Sequence, residues 1–98
     1  MSRVASFNRL AEVELREAIL YYESEAPGLG RRFLSTVESA LAEILDHPLT
    51  GAPLRGDVRR KQLGRFPYQL LYRLDDEEIR ILAVMHKRRR PLYWAERG

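Results

Sequence analysis

The chain has 98 residues, of which 45% are hydrophobic and 32% charged, so it suits one folded domain spanning residues 1–98 rather than a disordered chain. It contains no cysteine, which excludes disulfides, thiolate metal sites and a cysteine nucleophile. Residues 1–50 carry five Arg against eight acidic residues, whereas residues 51–98 carry twelve Lys or Arg against six, so the net charge of +3 arises in the second half. Such a basic half attracts polyanions, including nucleic acid and acidic protein segments.

The first half predicts a short strand followed by a helical hairpin. Residues 4–8 alternate in the manner of a strand, and Asn8 is placed to cap the helix that follows. Apolar residues then recur at helical spacing over residues 11–22 and again over residues 29–46. The segment Ala26-Pro27-Gly28 separates the two stretches, because proline disfavours helical backbone in the residue before it. Two helices joined this closely are antiparallel.

The second half predicts a loop and then a three-stranded meander. Proline and glycine punctuate residues 47–56, which we expect to be a loop. Strand-like segments follow at residues 58–63, 67–74 and 79–86, with connections of only a few residues. Such connections join antiparallel neighbours, and the helices need a sheet on which to bury their apolar faces. The sequence therefore predicts an α+β fold in which the first strand joins the sheet of the meander.

Basic residues cluster at two places in the predicted meander. The run His86-Lys87-Arg88-Arg89-Arg90 follows the last strand, while Arg59-Arg60-Lys61 lies on the first, with Arg65 in the turn after it. These clusters can share a surface, and aromatic residues lie nearby in the sequence: Tyr68, Tyr72, Tyr93 and Trp94. Guanidinium groups bind phosphates and aromatic rings stack on bases, so such a surface suits single-stranded RNA.

The same residues also have plainer explanations. A run of cations is often a solvated surface or a dock for an acidic protein. Arg60 and Lys61 point to opposite faces of a strand, so the triplet does not serve one surface. Tyr68 and Tyr72 share a face and are more often core aromatics than stacking platforms. His86 has no evident carboxylate partner, and we expect the glutamates of the first helix to be solvated charges.

Several other classes of site lack their sequence signatures. There is no glycine-rich phosphate loop, paired-carboxylate signature or metal-ligand spacing, and two histidines, His47 and His86, are too few and too separated for zinc. We therefore expect no cofactor and no metal. The N-terminus lacks the apolar core of a signal peptide, and no apolar run approaches the roughly 20 residues that span a bilayer. We expect a cytoplasmic protein without a membrane partner.

A set of local strings covers nearly the whole chain. In sequence order they are Ala18-Ile19-Leu20-Tyr21-Tyr22-Glu23, Arg32-Phe33-Leu34, Val58-Arg59-Arg60, Arg65-Phe66-Pro67-Tyr68-Gln69-Leu70-Leu71-Tyr72, Ile79-Arg80-Ile81-Leu82-Ala83-Val84-Met85-His86, Arg89-Arg90-Pro91 and Tyr93-Trp94. Together with the order strand, helical hairpin, meander, they resemble the ParE/RelE superfamily of type II toxins. The resemblance implies a small sheet with the hairpin on one face. It also implies a cognate antitoxin whose C-terminal segment wraps the toxin, and it allows a higher-order toxin–antitoxin oligomer.

The branches of this superfamily differ in target. RelE-like members cleave mRNA on the ribosome, whereas ParE-like members inhibit DNA gyrase without a nuclease site. The start of the central strand, Phe66-Pro67-Tyr68, is more similar to the ParE branch, as is His86 followed by Arg89-Arg90-Pro91 and Trp94. The resemblance therefore favours a toxin that binds gyrase and is not an enzyme. Some members of the superfamily are inert, so a non-toxic relative is a third alternative.

Each branch implies its own site residues. For a gyrase-binding toxin, the target-binding residues are Arg59, Arg60, Arg88, Arg89, Arg90 and Trp94. For an mRNA endoribonuclease acting with the ribosome, the catalytic residues are Lys61, Arg65, His86 and Tyr93. In that case the cations would stabilise charge on the phosphate, and His86 or Tyr93 would move protons.

Overall fold

The computed structural model describes residues 3–98, in which two helices pack on one face of a five-stranded sheet. In chain order the elements are β1 (Val4–Phe7), α1 (Arg9–Glu25), α2 (Leu29–Asp46), β2 (Ala52–Arg55), β3 (Val58–Gln62), β4 (Tyr68–Asp75) and β5 (Glu78–His86). The strand order is β1-β5-β4-β3-β2, with β1 parallel to β5 and every other pair antiparallel. The predicted α+β fold, hairpin and meander are confirmed.

The strand β2 corrects the prediction of a loop over residues 47–56. Ala52 pairs with Arg60 and Arg55 with Val58, with an irregularity between Pro53 and Arg55. Proline is tolerated there because an edge strand has one side without a neighbour to receive its hydrogen bonds. The proline and glycine that indicated a loop therefore accompany a short strand at the edge of the sheet.

Local side-chain contacts set the ends of both helices. Asn8 accepts a hydrogen bond from the backbone N–H of Leu10 at 2.8 Å, which confirms the predicted cap of α1. Glu23, near the end of α1, accepts from the N–H groups of Gly28 and Gly30 at 3.0–3.1 Å and so caps α2 from outside. Glu23 is thus one exception to the expectation of solvated glutamates on the first helix, because the tight turn brings the start of α2 back to it.

The sheet buries side chains on both faces. The helix-facing core includes Phe33, Ile44, Leu70, Tyr72 and Ile81, all fully buried, and Tyr68 packs against it. A smaller core on the opposite face consists of Val58, Leu71, Leu82, Ala83 and Trp94. The register explains the second core: Leu71 pairs with Ala83 but Tyr72 pairs with Ile81, so Leu82 is an extra residue in β5. This bulge lets consecutive residues face the same side.

The buried hydroxyl of Tyr72 holds the connection from α2 to β2. It donates to the carbonyl of Pro48 at 2.7 Å and accepts from the N–H of Gly51 at 2.9 Å. We expect Tyr72→Phe to lower the free energy of unfolding by about 2 kcal/mol, because both backbone groups lose their partner in a buried place. Urea denaturation measures this difference. Tyr21→Phe is the matched control, since that ring is 55% exposed, and equal stability of the two variants would contradict the prediction.

Candidate functional site

The densest positive charge lies in residues 87–90, called here the basic segment, directly after β5. Its backbone is held in place: Lys87 N–H donates to the Pro67 carbonyl at 2.9 Å, and Arg89 N–H to the His86 carbonyl at 3.0 Å. All four side chains of the segment are exposed. The guanidinium of Arg89 lies 4.0 Å from the ring centroid of Tyr93, a cation–π contact. The segment therefore presents its cations to solvent from a fixed backbone.

Glu14 of α1 anchors the chain that follows the basic segment. Its carboxylate accepts from the Tyr93 hydroxyl at 2.8 Å and from both Arg97 terminal nitrogens at 2.9 and 3.0 Å. It also accepts from the backbone N–H of Val84 at 3.0 Å. The Glu14 and Arg97 side chains are only 13% and 11% exposed. Glu14 is a second exception to the expectation that glutamates of the first helix are solvated, because the chain end folds back onto α1.

This ion pair completes the edge of β5. The strand β1 pairs with β5 only from Glu78 to Ile81, which leaves the rest of that edge without a neighbouring strand. Glu14 accepts from Val84 N–H, and Arg97 donates to the Leu82 carbonyl at 3.1 Å. An open edge is a site of unwanted strand pairing, and here one acidic and one basic side chain occupy two of its hydrogen-bonding groups.

The role of Glu14 was missed in the sequence, although a signal for it exists. Glu14 lies three residues after Ala11 and four before Ala18, both of which are buried, so it falls within the apolar stripe of α1. A charged residue in such a stripe needs a partner, which is Arg97 here. Burial, and then the hydrogen bond to Glu14, raise the pKa of Tyr93 far above its ordinary value. Tyr93 therefore remains a protonated hydrogen-bond donor.

The triplet on β3 is divided between the two faces of the sheet, as alternation predicts. Arg59 donates to the Gly51 carbonyl at 2.8 Å, and Lys61 forms an ion pair of 2.8 Å with Glu43 of α2. Arg60, between them, is exposed. The prediction that all three residues share one surface with the basic segment is therefore wrong.

The other proposed site residues have different surroundings. Arg65 is exposed in the turn between β3 and β4. The His86 ring contacts Tyr68 edge-on with centroids 5.0 Å apart, and its Nδ1 accepts from the Arg88 N–H at 3.0 Å, which leaves Nε2 for other partners. Trp94 is only 4% exposed and packs in the core behind the sheet. The expectation that Trp94 lies on a target-binding surface is therefore wrong, because a ring buried in the core cannot contact a target.

The four residues of the nuclease hypothesis do not form a connected group. Within residues 3–98, no hydrogen bond or ion pair joins any two of Lys61, Arg65, His86 and Tyr93.

Across the described residues, no cluster of three or more His, Asp or Glu is placed to hold a metal ion. The helices in the part of the chain that the structure describes are also too short or too polar to cross a bilayer.

Comparisons with known proteins agree on one family. The family model for the ParE toxin of type II toxin–antitoxin systems, parDE, matches residues 5–91. Toxin ParE2 of Mycobacterium tuberculosis, found in two strains, is 35% identical over 92 residues, which cover 93% of this chain and 88% of that protein.

Solved structures share the architecture. A chain of the chromosomal ParDE system from P. aeruginosa superposes with a TM-score of 0.74 at 20% identity, covering 88% of this chain and 96% of that one. A mutant of E. coli RelE in the free state gives 0.68 at 24% identity, covering 90% and 86%. The toxin–antitoxin complex RelBE2 from Mycobacterium tuberculosis gives 0.62 at 28% identity, covering 88% and 99%. From its sequence and its fold, this chain belongs to the ParE toxin family of type II toxin–antitoxin systems.

Proposed function

We propose that this chain arrests bacterial growth by binding DNA gyrase through the basic segment, without cutting RNA. The observation that carries the proposal is the contrast between two sets of residues. Arg88, Arg89 and Arg90 are exposed on a fixed backbone, whereas Lys61 and Tyr93 are engaged by Glu43 and Glu14. An exposed cationic segment steers and orients a large anionic partner. Action on gyrase also implies that the chain works in the cytoplasm.

A cognate antitoxin is the second proposed partner. The similar structures include a ParDE system and a RelBE2 toxin–antitoxin complex, and α1 exposes apolar side chains: Leu10 is 43% exposed, Leu20 63% and Tyr21 55%. A partner that covers this apolar surface stabilises the native chain by mass action. We therefore expect the melting temperature to rise when the product of the neighbouring gene is added, and an unchanged value at saturating concentration would contradict the pairing.

Growth arrest and its target are tested together in a sensitive bacterial host. After induction of the chain, cell morphology, the DNA-damage response and mRNA integrity are followed side by side, and purified chain is added to a gyrase supercoiling reaction. We expect filamentous cells, intact mRNA and inhibited supercoiling. Rapid translation arrest with cut messages and normal supercoiling would contradict the gyrase hypothesis and support an endoribonuclease.

The endoribonuclease hypothesis has one observation in its favour. The Nε2 atom of His86 has no partner in the described chain, and the exposed Arg89 follows three residues later in the same tight turn. An imidazole and a guanidinium are therefore both accessible. A histidine that moves a proton next to a cation that stabilises phosphate charge is a workable pair for RNA cleavage. In that case the partners are the ribosome and mRNA.

The quadruple variant Lys61→Met, Arg65→Gln, His86→Ala, Tyr93→Phe separates the two hypotheses. We expect it to retain growth arrest within about threefold of the unchanged chain once expression is matched, because the exposed arginines of the basic segment remain. Phenylalanine keeps the ring that Arg89 contacts, so loss of the hydroxyl costs about 1 kcal/mol of stability. Loss of killing in a variant that is still folded at the growth temperature would favour catalysis, and the single variant His86→Ala would then show whether the histidine is the group responsible.

A further inference from the structure

The residue that precedes the basic segment supplies two of the acceptors that fix its backbone. The N–H of Arg88 donates to the Nδ1 atom of His86 at 3.0 Å, and the N–H of Arg89 donates to the His86 carbonyl at 3.0 Å. The N–H of Lys87 donates to the Pro67 carbonyl at 2.9 Å. The imidazole therefore reaches two residues ahead, as the side-chain oxygen of an asparagine does in an Asx turn.

The ring of His86 matters most for the position of Arg88. Arg89 has a further tether, because its guanidinium lies 4.0 Å from the ring centroid of Tyr93. Within residues 3–98, the Arg88 side chain takes part in no hydrogen bond or ion pair, so its direction depends on its own backbone. A cation whose backbone is already fixed loses less conformational freedom when it meets a partner.

The hydrogen bond to Arg88 also determines which ring nitrogen of His86 carries the proton. A neutral imidazole has one N–H and one acceptor nitrogen, and Nδ1 is the acceptor here, so the proton lies on Nε2. A base that takes up a proton through Nε2 needs the opposite tautomer, and an imidazolium carries hydrogen on both nitrogens. Both forms place a hydrogen on Nδ1, against the N–H of Arg88. His86 therefore cannot hold the turn and transfer a proton at the same time.

The ring of His86 makes a second contact, which has different chemical requirements. It meets the Tyr68 ring edge-on, with centroids 5.0 Å apart and an angle of 86° between the ring planes. That contact needs an aromatic ring at residue 86, whereas the hydrogen bond to Arg88 needs an acceptor at the position of Nδ1. The two contacts can therefore be removed separately by substitution.

We propose that His86 is a positioning residue for the target-binding surface, which fixes the Arg88 backbone through Nδ1 and does not move protons. The effect on the target depends on the proposed function, whereas the fixing of Arg88 depends only on the chain itself. The hydrogen bonds of Lys87 and Arg89 remain when the imidazole is replaced, so the expected effect on gyrase inhibition is small.

Two substitutions separate the acceptor from the ring. His86→Asn keeps an acceptor oxygen near the position of Nδ1 and removes the ring, whereas His86→Phe keeps a ring beside Tyr68 and removes the acceptor. We expect the protection of the Arg88 amide against hydrogen exchange to fall about tenfold in His86→Phe and to stay within about twofold in His86→Asn. His47→Ala removes an exposed histidine elsewhere and should leave this protection unchanged. In the unchanged chain, NMR should also detect a coupling between the Arg88 amide nitrogen and Nδ1 across the hydrogen bond.

Several results would overturn the proposal. Weaker protection in His86→Asn than in His86→Phe would make the contact with Tyr68 the cause, and equal protection in all variants or an absent coupling would show that Nδ1 does not hold Arg88. Cutting of mRNA that stops in His86→Asn would assign proton transfer to the histidine.

The effect on the target is measured separately. We expect the concentration that inhibits supercoiling by half to rise about twofold in His86→Phe, and His86→Asn to restore the value of the unchanged chain. Equal inhibition by both variants would contradict the positioning role. If the unchanged chain fails to inhibit gyrase, the proposed function fails, while the exchange measurements still decide whether His86 fixes Arg88.

Discussion

The variant Arg88→Glu, Arg89→Glu, Arg90→Glu is expected to lose growth arrest. We expect the concentration that inhibits gyrase by half to rise on the order of a hundredfold. These side chains are exposed and their backbone is fixed, so the substitution replaces three accessible cations with three anions while leaving the core intact. The native segment is cationic and attracts an anionic partner, whereas the substituted segment is anionic and repels it. The repulsion slows association and weakens the complex. The measurement is the chain concentration that halves supercoiling, together with colony formation after induction.

A matched variant shows whether the loss of inhibition depends on where the charges lie or only on the net charge. Arg16→Glu, Arg31→Glu, Arg32→Glu reverses three exposed arginines on the helices and changes the net charge by the same amount. We expect that variant to retain inhibition within about fivefold, since only the long-range field changes. Equal loss in both variants would mean that overall charge, and not the basic segment, determines toxicity. Thermal unfolding of each variant shows whether the fold is kept.

Glu14→Ala is expected to lower the free energy of unfolding by about 3 kcal/mol, the largest effect on stability that we expect from one substitution. The change leaves the Arg97 guanidinium without its counter-charge at a place where it is only 11% exposed. The Tyr93 hydroxyl and the Val84 N–H lose their acceptor at the same time. Urea denaturation measures the loss, and hydrogen exchange at the Val84 amide should rise before the rest of β5 exchanges.

Two controls accompany this prediction. Glu17→Ala removes an exposed glutamate from the same helix, and we expect a change within about 0.5 kcal/mol. Glu14→Gln keeps an acceptor oxygen without the charge, and an intermediate loss is expected. A Glu14→Ala protein as stable as the Glu17→Ala protein would show that the anchor contributes nothing. If the anchor acts as described, growth arrest should also weaken, because the chain after the basic segment is released from α1.

Local patterns in the sequence were sufficient for the helices and for most of the sheet. The cap at Asn8 and the break at Ala26-Pro27-Gly28 gave the bounds of α1, and apolar spacing gave α2 as Leu29–Asp46. These features are predictable because capping and periodicity depend on residues a few positions apart. The alternation that divides Arg60 from Lys61 across β3 was predictable for the same reason.

Contacts between distant parts of the chain account for the rest. The strand β2 exists because β3 offers an edge to residues that otherwise indicate a loop, and Trp94 is buried because the chain end folds over the back of the sheet. Glu14 meets Val84 and Arg97 across separations of 70 and 83 residues. The place of Glu14 in the apolar stripe of α1 signals a charge that needs a partner. No local period relates residues so far apart, so the identity of its partners is decided only when the sheet edge is assembled.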